Sequence, residues 1–466
     1  LNHKSNLPFK KDMMRQPFFT IVFSLFVWAI PLANPVEAME LQDALIQAYQ
    51  SNPDIRAAEK SVEAVTEDES LALGRILPSV TASGSVFYDE SKVDSEPSTD
   101  SVEKQVTFAF EQPIYSGGRI WNNIDQTEAE VAAAIANQLS ITQSVLLDAA
   151  TVYGDVYRAQ AIFELNDNNV RVLARQLEVT TDRFEVGEVT NTDVAQAKSR
   201  LARAKADRTR AQGNLQSARG VFEQVVGIRP QKIDTLPVDQ LNRPDNMDQA
   251  IDLALGNNPD IQRQQSILRA SQLGIDIARG SFWPEIVAEA SFNRVYDPNF
   301  GFGGAFTIDE QDTTRAGVRL TLPLYQSGTR FSDLRRAKSL TAEQEFRLDS
   351  LHRTIRAEAI DAFEQLTAAR AALNSRKAQV ESADIALDGV REEALVGQRT
   401  TLDVLDAEQE LLNAKVSVVE AERDVLVTNF RLYQLIGSLH PKSDRYTNLL
   451  ANQDNPLEAS DKFEQN

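Results

Sequence analysis

The chain has 466 residues, of which 25% are charged and 42% hydrophobic, a balance that suits a folded protein and excludes wholesale disorder. Its formal charge of -20 excludes a general nucleic-acid binder, and the absence of cysteine excludes disulfide frameworks, thiolate catalysis and cysteine metal sites. The three histidines, His3, His352 and His440, are scattered, and no nucleophile–base set or phosphate-binding glycine loop is present, so neither catalysis nor a cofactor is expected.

In chain order, a targeting segment comes first. Lys10, Lys11 and Arg15 precede the apolar run FFTIVFSLFVWAI, and Val36, Glu37 and Ala38 follow it. That is the order of a secretory signal, so residues 1–38 are expected to be removed. About 13 apolar residues fall short of the ~20 that cross a bilayer as a helix. Residue 39 is methionine, not cysteine, so no lipid-anchored mature terminus is expected. No later segment reads as a transmembrane helix, which leaves strands to cross any membrane.

The remainder is duplicated. SNPDIRAAEK at Ser51 answers NNPDIQRQQS at Asn257, and PIYSGGR at Pro113 answers PLYQSGTR at Pro323. FEVGEVTNTDV at Phe184 answers ALVGQRTTLDV at Ala394. The register is about 206 residues before the Pro-x-Tyr motif and about 210 after it. The expected organisation is a first repeat over 39–227, a linker over 228–247, a second repeat over 248–437 and a polar acidic tail over 438–466.

Each repeat reads in the same order. Asn52 and Asn258 are helix caps with proline at the first helical position, opening helices of roughly 24 residues. A strand pair follows, over 79–112 and again over 285–322. Ile286, Ala288, Ala290 and Phe292 alternate with Glu285, Val287, Glu289 and Ser291; Ala316, Val318 and Leu320 alternate with Arg315, Gly317, Arg319 and Thr321. A half-buried soluble hairpin would alternate in the same way. The long polar or glycine-rich tips DESKVDSEPSTDS and DPNFGFGGAFTIDEQD, with Tyr88, Tyr115, Trp283, Tyr296 and Tyr325 at strand ends, favour membrane strands.

Uninterrupted helical pattern then runs over 118–186 and 328–396, roughly 69 residues or about 100 Å each. Each turns at Gly187 or Gly397 and returns through about 37 residues, ending the helical stretches at 227 and 437. The return helices carry heptad seams, Val194-Ala197-Leu201-Ala204 onward and Val404-Ala407-Leu411-Ala414 onward, with Arg208 as a misfit expected to snorkel at the seam edge. End to end, a return helix and a short one would match the long one, with irregular chain forming a belt around the middle. Four strands cannot close a channel, and open edges in hydrocarbon cost several kcal/mol per unpaired group, so membrane strands of this kind require several chains.

On RFEVGEVTNTDV, VGQRTTLDVLDAEQELLNAK, the Pro-x-Tyr strand exits and the two Asn-Pro-Asp helix starts, the chain resembles the TolC-like trimeric outer-membrane efflux protein family over 39–437. The resemblance implies an α+β membrane protein, an internally duplicated protomer of long coiled-coil helices and four transmembrane strands. It implies a homotrimer forming a twelve-stranded β-barrel in outer-membrane lipid above a periplasmic α-helical barrel. Such ducts work with a periplasmic adaptor protein and an inner-membrane pump of Gram-negative bacteria, as the exit of tripartite efflux or type I secretion systems. Their cargoes are drugs, detergents, bile salts or secreted proteins.

By the same resemblance Asp403 and Asp406 form the periplasmic selectivity gate, and Arg399, Asp193, Thr192 and Gln176 supply gate-closing links between neighbouring coiled coils. Read from the residues alone, Thr190-x-x-Asp193 and Thr400-x-x-Asp403 are capping boxes, which accounts for Asp193 and Asp403 but not for Asp406 one turn on. Ala394 departs from the family pattern, which has tyrosine there.

Overall fold

The computed structural model describes residues 38–91, 99–233, 236–237, 244–296 and 310–439. The signal segment up to residue 37, the tail from 440 and the centres of both hairpin loops lie outside the described residues. The same six elements occur twice. The first set is α1 (Leu41–Ser51), α2 (Pro53–Gly74), β1 (Ser79–Ser91), β2 (Thr99–Tyr115), α3 (Arg119–Glu185) and α4 (Asn191–Val226). The second is α5 (Met247–Asn257), α6 (Pro259–Gly280), β3 (Glu285–Tyr296), β4 (Glu310–Thr321), α7 (Thr329–Leu395) and α8 (Thr401–Leu435).

Two asparagines make the short and return helices run end to end. Asn52 accepts the Asp54 N–H at 2.9 Å, starting α2, while its amide donates to the Val225 carbonyl at 3.0 Å, closing α4. Asn258 likewise accepts from Asp260 at 2.9 Å and donates to Leu435 at 3.1 Å. Both are almost fully buried, so each polar group is answered by a helix end that would otherwise lack a partner. The 36 residues of α4 and 22 of α2 thus accompany the 67 of α3.

The seams pack as the heptads require. Ala197, Ala204, Ala211, Leu215 and Phe222 are buried on α4, as are Val404, Leu411, Ala414, Ala421, Val425 and Leu432 on α8. Arg208 departs from expectation. It donates to Asp167 of α3 at 2.6 Å and lies 5.8 Å from the Phe163 ring centre, so it bridges the two helices where snorkelling to solvent was expected.

Two features were not expected. The 11-residue helices α1 and α5 precede the Asn-Pro-Asp starts; α1 buries Leu41, Leu45 and two alanines against the mid-section of α3, where Tyr153 donates to the Met39 carbonyl at 2.9 Å. Leu41, Ala44, Leu45 and Ala48 fall at helical spacing, so α1 was legible in the sequence, though short. The hairpins also reach further than expected: Asp89 pairs with Ser101, Ser91 with Thr99 and Arg294 with Asp312, so residues read as loop continue the ladders. Polar side chains at a strand end do not stop backbone pairing.

The four strands form one antiparallel sheet in the order β1-β2-β3-β4. Its register sorts the side chains. One face carries Val80, Phe110, Ala290 and Ala316 in one row and Ala82, Phe108, Phe292 and Thr314 in the next. The other carries Ser83, Thr107, Asn293 and Thr313, tied by hydrogen bonds from Thr107 and Gln105 to Asn293 at 3.0 and 2.9 Å. Arg319 and Glu289 pair on this polar face. A sheet apolar on one side and polar on the other, with two unpaired edges, lacks both a cover and a closure.

Candidate functional site at the helical tip

Each hairpin turns through the same motif. Glu188 N–H reaches the Arg183 carbonyl and Gly187 N–H reaches Phe184; in the second copy Gln398 reaches Glu393 and Gly397 reaches Ala394. These are paired 6→1 and 5→2 bonds, and they need a left-handed residue, which Gly187 and Gly397 supply at φ 79° and 77°. Ala394 thus contributes its carbonyl to the turn.

The return helices begin with reciprocal caps. Asp193 accepts the Thr190 N–H at 2.8 Å and its hydroxyl at 2.7 Å, while Thr190 Oγ1 accepts the Asp193 N–H at 3.3 Å. Asp403 and Thr400 repeat this at 2.9, 2.8 and 3.3 Å. Hydrogen bonds from the Thr190 hydroxyl, then its N–H, hold Asp193 below the ordinary carboxylate value; for Asp403 the Thr400 N–H comes first and the hydroxyl second. Both acids are therefore ionised and fixed in place at neutral pH.

The other expected residues fall around these caps. Arg399 lies between turn and cap and donates to Glu393 at 2.7 Å; within the protomer the described pairs do not join it to Thr192 or Asp193. Thr192 is exposed on the first turn of α4. Gln176 is half-buried on α3, where its carbonyl accepts the Thr180 hydroxyl at 2.8 Å. Asp406, one turn beyond Asp403, meets Arg200 of α4 at 2.5 Å, so it joins the two hairpins.

Three residues at this junction were missed in the sequence. Leu405 is 2% exposed and packs with Leu173, Leu201 and Ala204 of the other hairpin. Arg200 flanks that contact on one side. On the other, Glu408 is buried and accepts from Arg391 at 3.2 Å, leaving its Oε2 without a partner. Burial pushes the Glu408 carboxyl up, and the Arg391 guanidinium only partly opposes it. The signal was present: Leu405, Leu412, Val419, Leu426 and Tyr433 recur every seventh residue beside the α8 seam, marking a second packing face. The matching α4 positions, Ala195, Ala202, Thr209, Gln216 and Glu223, form no such stripe.

The duplicated long hairpins and the amphipathic open-edged sheet agree with what comparison with known proteins finds. The pattern that defines the outer membrane efflux proteins matches residues 44–227 and 250–438, which is most of the chain and both repeats. The chain belongs to the outer membrane efflux protein family. This efflux protein resides in the outer membrane, and it is similar to efflux and secretion ducts. It is 29% identical to the outer membrane efflux protein BepC of Brucella suis biovar 1, across 86% of this chain and 85% of BepC. It is 24% identical to the outer membrane protein TolC of Escherichia coli, across 87% of this chain and 83% of TolC. Its fold matches the crystal structure of CusC with a TM-score of 0.75 at 17% identity, covering 85% of this chain and 92% of CusC.

Proposed function

We propose that the efflux protein acts as a homotrimer, a passive exit duct that receives cargo from an inner-membrane pump through a periplasmic adaptor and transforms nothing chemically. The observation that carries this reading is the incompleteness of one protomer. In the first repeat, α3 packs against α1, α2, α4, α6 and α8, and β2 pairs with β3. The equivalent α7 packs against α5, α6 and α8, and among the described residues it has no comparable packing against α2 or α4. Phe331, Leu340, Phe346 and Ile385 are left exposed on α7, and Leu71, Leu73 and Val221 on α2 and α4. At the base of the sheet the Gly117 turn presses on Gly280, where an added Cβ at Gly117 would lie 2.4 Å from the Gly280 carbonyl. The repeat-equivalent pair, Ser327–Gly328 and Gly74, are apart, with open space at both glycines.

A second copy supplies what is absent, with its α2 and α4 against α7, its Gly74 at the Ser327 turn and its β1 beside β4. Such a head-to-tail contact makes a ring when its rotation closes, as pairing of the free edges of β1 and β4 requires. Two copies would give eight strands, whose interior side chains fill; three give twelve and leave a conduit. The resulting ring repeats Asp403 and Asp406 three times around the tip as an acidic constriction. Arg399, Asp193, Thr192 and Gln176 are read as the links between neighbouring hairpins in the closed state.

The test is assembly and conduction together. The full chain folded in detergent is expected to run as a trimer by light scattering with mass correction for detergent, and to form cation-selective channels in planar bilayers. A stable monomer, or a trimer that does not conduct, overturns the reading.

A further inference from the structure

The acidic constriction at the tip carries an unexpected counter-charge. Arg200 of α4 reaches Asp406 of α8 at 2.5 Å, across a separation of 206 residues. The pair is not loosely placed. Next to Asp406 in the chain, Leu405 is sunk between Leu173, Leu201 and Ala204. Next to Arg200, Leu201 belongs to that same cluster. The apolar contact therefore sets the two helices at the distance the ion pair spans. Arg200 is itself only 29% exposed, against 58% for Asp406, so the arginine is the more confined partner. By contrast Asp403 takes its hydrogen bonds from Thr400, and the Arg399 guanidinium acts on it only as a nearby charge.

The repeat shows that this is a property of one junction only. With the register of about 210 residues, the counterpart of Arg200 is Glu410 and that of Asp406 is Gln196. Where a hairpin meets its neighbour from the next protomer, these positions bring together a carboxylate and an amide. These two positions cannot form an ion pair there. In a ring of six hairpins, three junctions carry the Arg200–Asp406 pair and three do not.

We propose that Arg200 determines the cation specificity of the tip by neutralising Asp406 within each protomer. The carboxylate of Asp406 joins that of Asp403 as a cation ligand only when the two hairpins part. This rests on the reading of Asp403 and Asp406 as an acidic constriction. The constriction then has two charge states. With the hairpins clasped it presents three carboxylates, and with them apart it presents six, so a cation binds most tightly to the parted form.

Planar-bilayer recordings of the assembled full chain, with lanthanum ion added from the periplasmic side, test the assignment. Arg200→Gln is expected to tighten block at least about tenfold, since three restored charges at about 8 Å from a trivalent ion exceed that factor even after screening by salt. Arg200→Lys, which keeps the charge, is expected to block as the unaltered protein does. Arg200→Gln combined with Asp406→Asn is expected to lose the gain, because no carboxylate remains to be uncovered. Unchanged block in Arg200→Gln channels overturns the proposal, as does a gain that survives in the double variant. The underlying reading fails separately: if Asp403→Ala with Asp406→Ala is blocked as strongly as the unaltered protein, there is no acidic constriction, whatever Arg200 does.

Discussion

Replacing Val318 with arginine tests which face of the sheet meets lipid. Val318 shares a face with Ala288 opposite it and is 69% exposed in the protomer. β4 has 12 residues, which at about 3.3 Å each and a tilt of about 40° rise roughly 30 Å, enough to cross an apolar band of about 25 Å. Val318 lies some two to three residues from the middle of β4, about 6 Å from the midplane. There an arginine facing lipid costs about 2–3 kcal/mol, and three copies in a ring multiply this to roughly 6–9 kcal/mol. Thr313 lies equally far from the middle on the other side, but shares the polar face with Asn293. Thr313→Arg faces water and is expected to cost less than about 1 kcal/mol per protomer. Urea titration of folding into phospholipid vesicles, read by heat-modifiable mobility on gels, gives both values. Equal losses at the two positions would refute the assignment of faces.

Arg399→Ser is expected to raise single-channel conductance and to sensitise cells to vancomycin, because it removes a cation from the closing links; unchanged conductance in an assembled trimer removes Arg399 from the gate. Replacing Asp403 and Asp406 together with alanine is expected to weaken cation selectivity and abolish block by multivalent cations while trimers still form. If capping were the whole role of these residues, Asp403→Ala would loosen the first turn of α8, Asp406→Ala would leave it intact, and block would persist in both. Glu408 gives a pH signature. Its folded value is raised above the ordinary 4.5 by burial, so its contribution to stability is greatest below pH 4.5 and is lost as pH rises through the raised value. Hydrogen-exchange protection of α8 is therefore expected to fall as pH rises above 4.5 and to lose that fall in Glu408→Gln; lower protection of the variant at neutral pH would show that the Arg391 pair outweighs burial.

The sequence by itself determined the helix ends and the strand faces. Proline after Asn52 and Asn258 is suited to open a helix, Gly187 and Gly397 to end one, and an alternation of two fixes which strand residues share a face. Both long helices accordingly lie within one residue of where periodicity put them, and Asp193 and Asp403 sit in the caps their spacing implied. What only the tertiary structure decided are the partners reached across the chain. Arg208 reaches across to α3 because Asp167 and Phe163 stand there, and Arg200 is committed because burial of Leu405 brings Asp406 beside it. Glu408 is buried beside Arg391 of α7, which its place in the sequence does not announce. A charge written in sequence has a residue type and a helical face, but its energy depends on which opposite charge and how much water stand within a few ångströms. That distance is set by packing between hairpins roughly 200 residues apart, which no local pattern encodes.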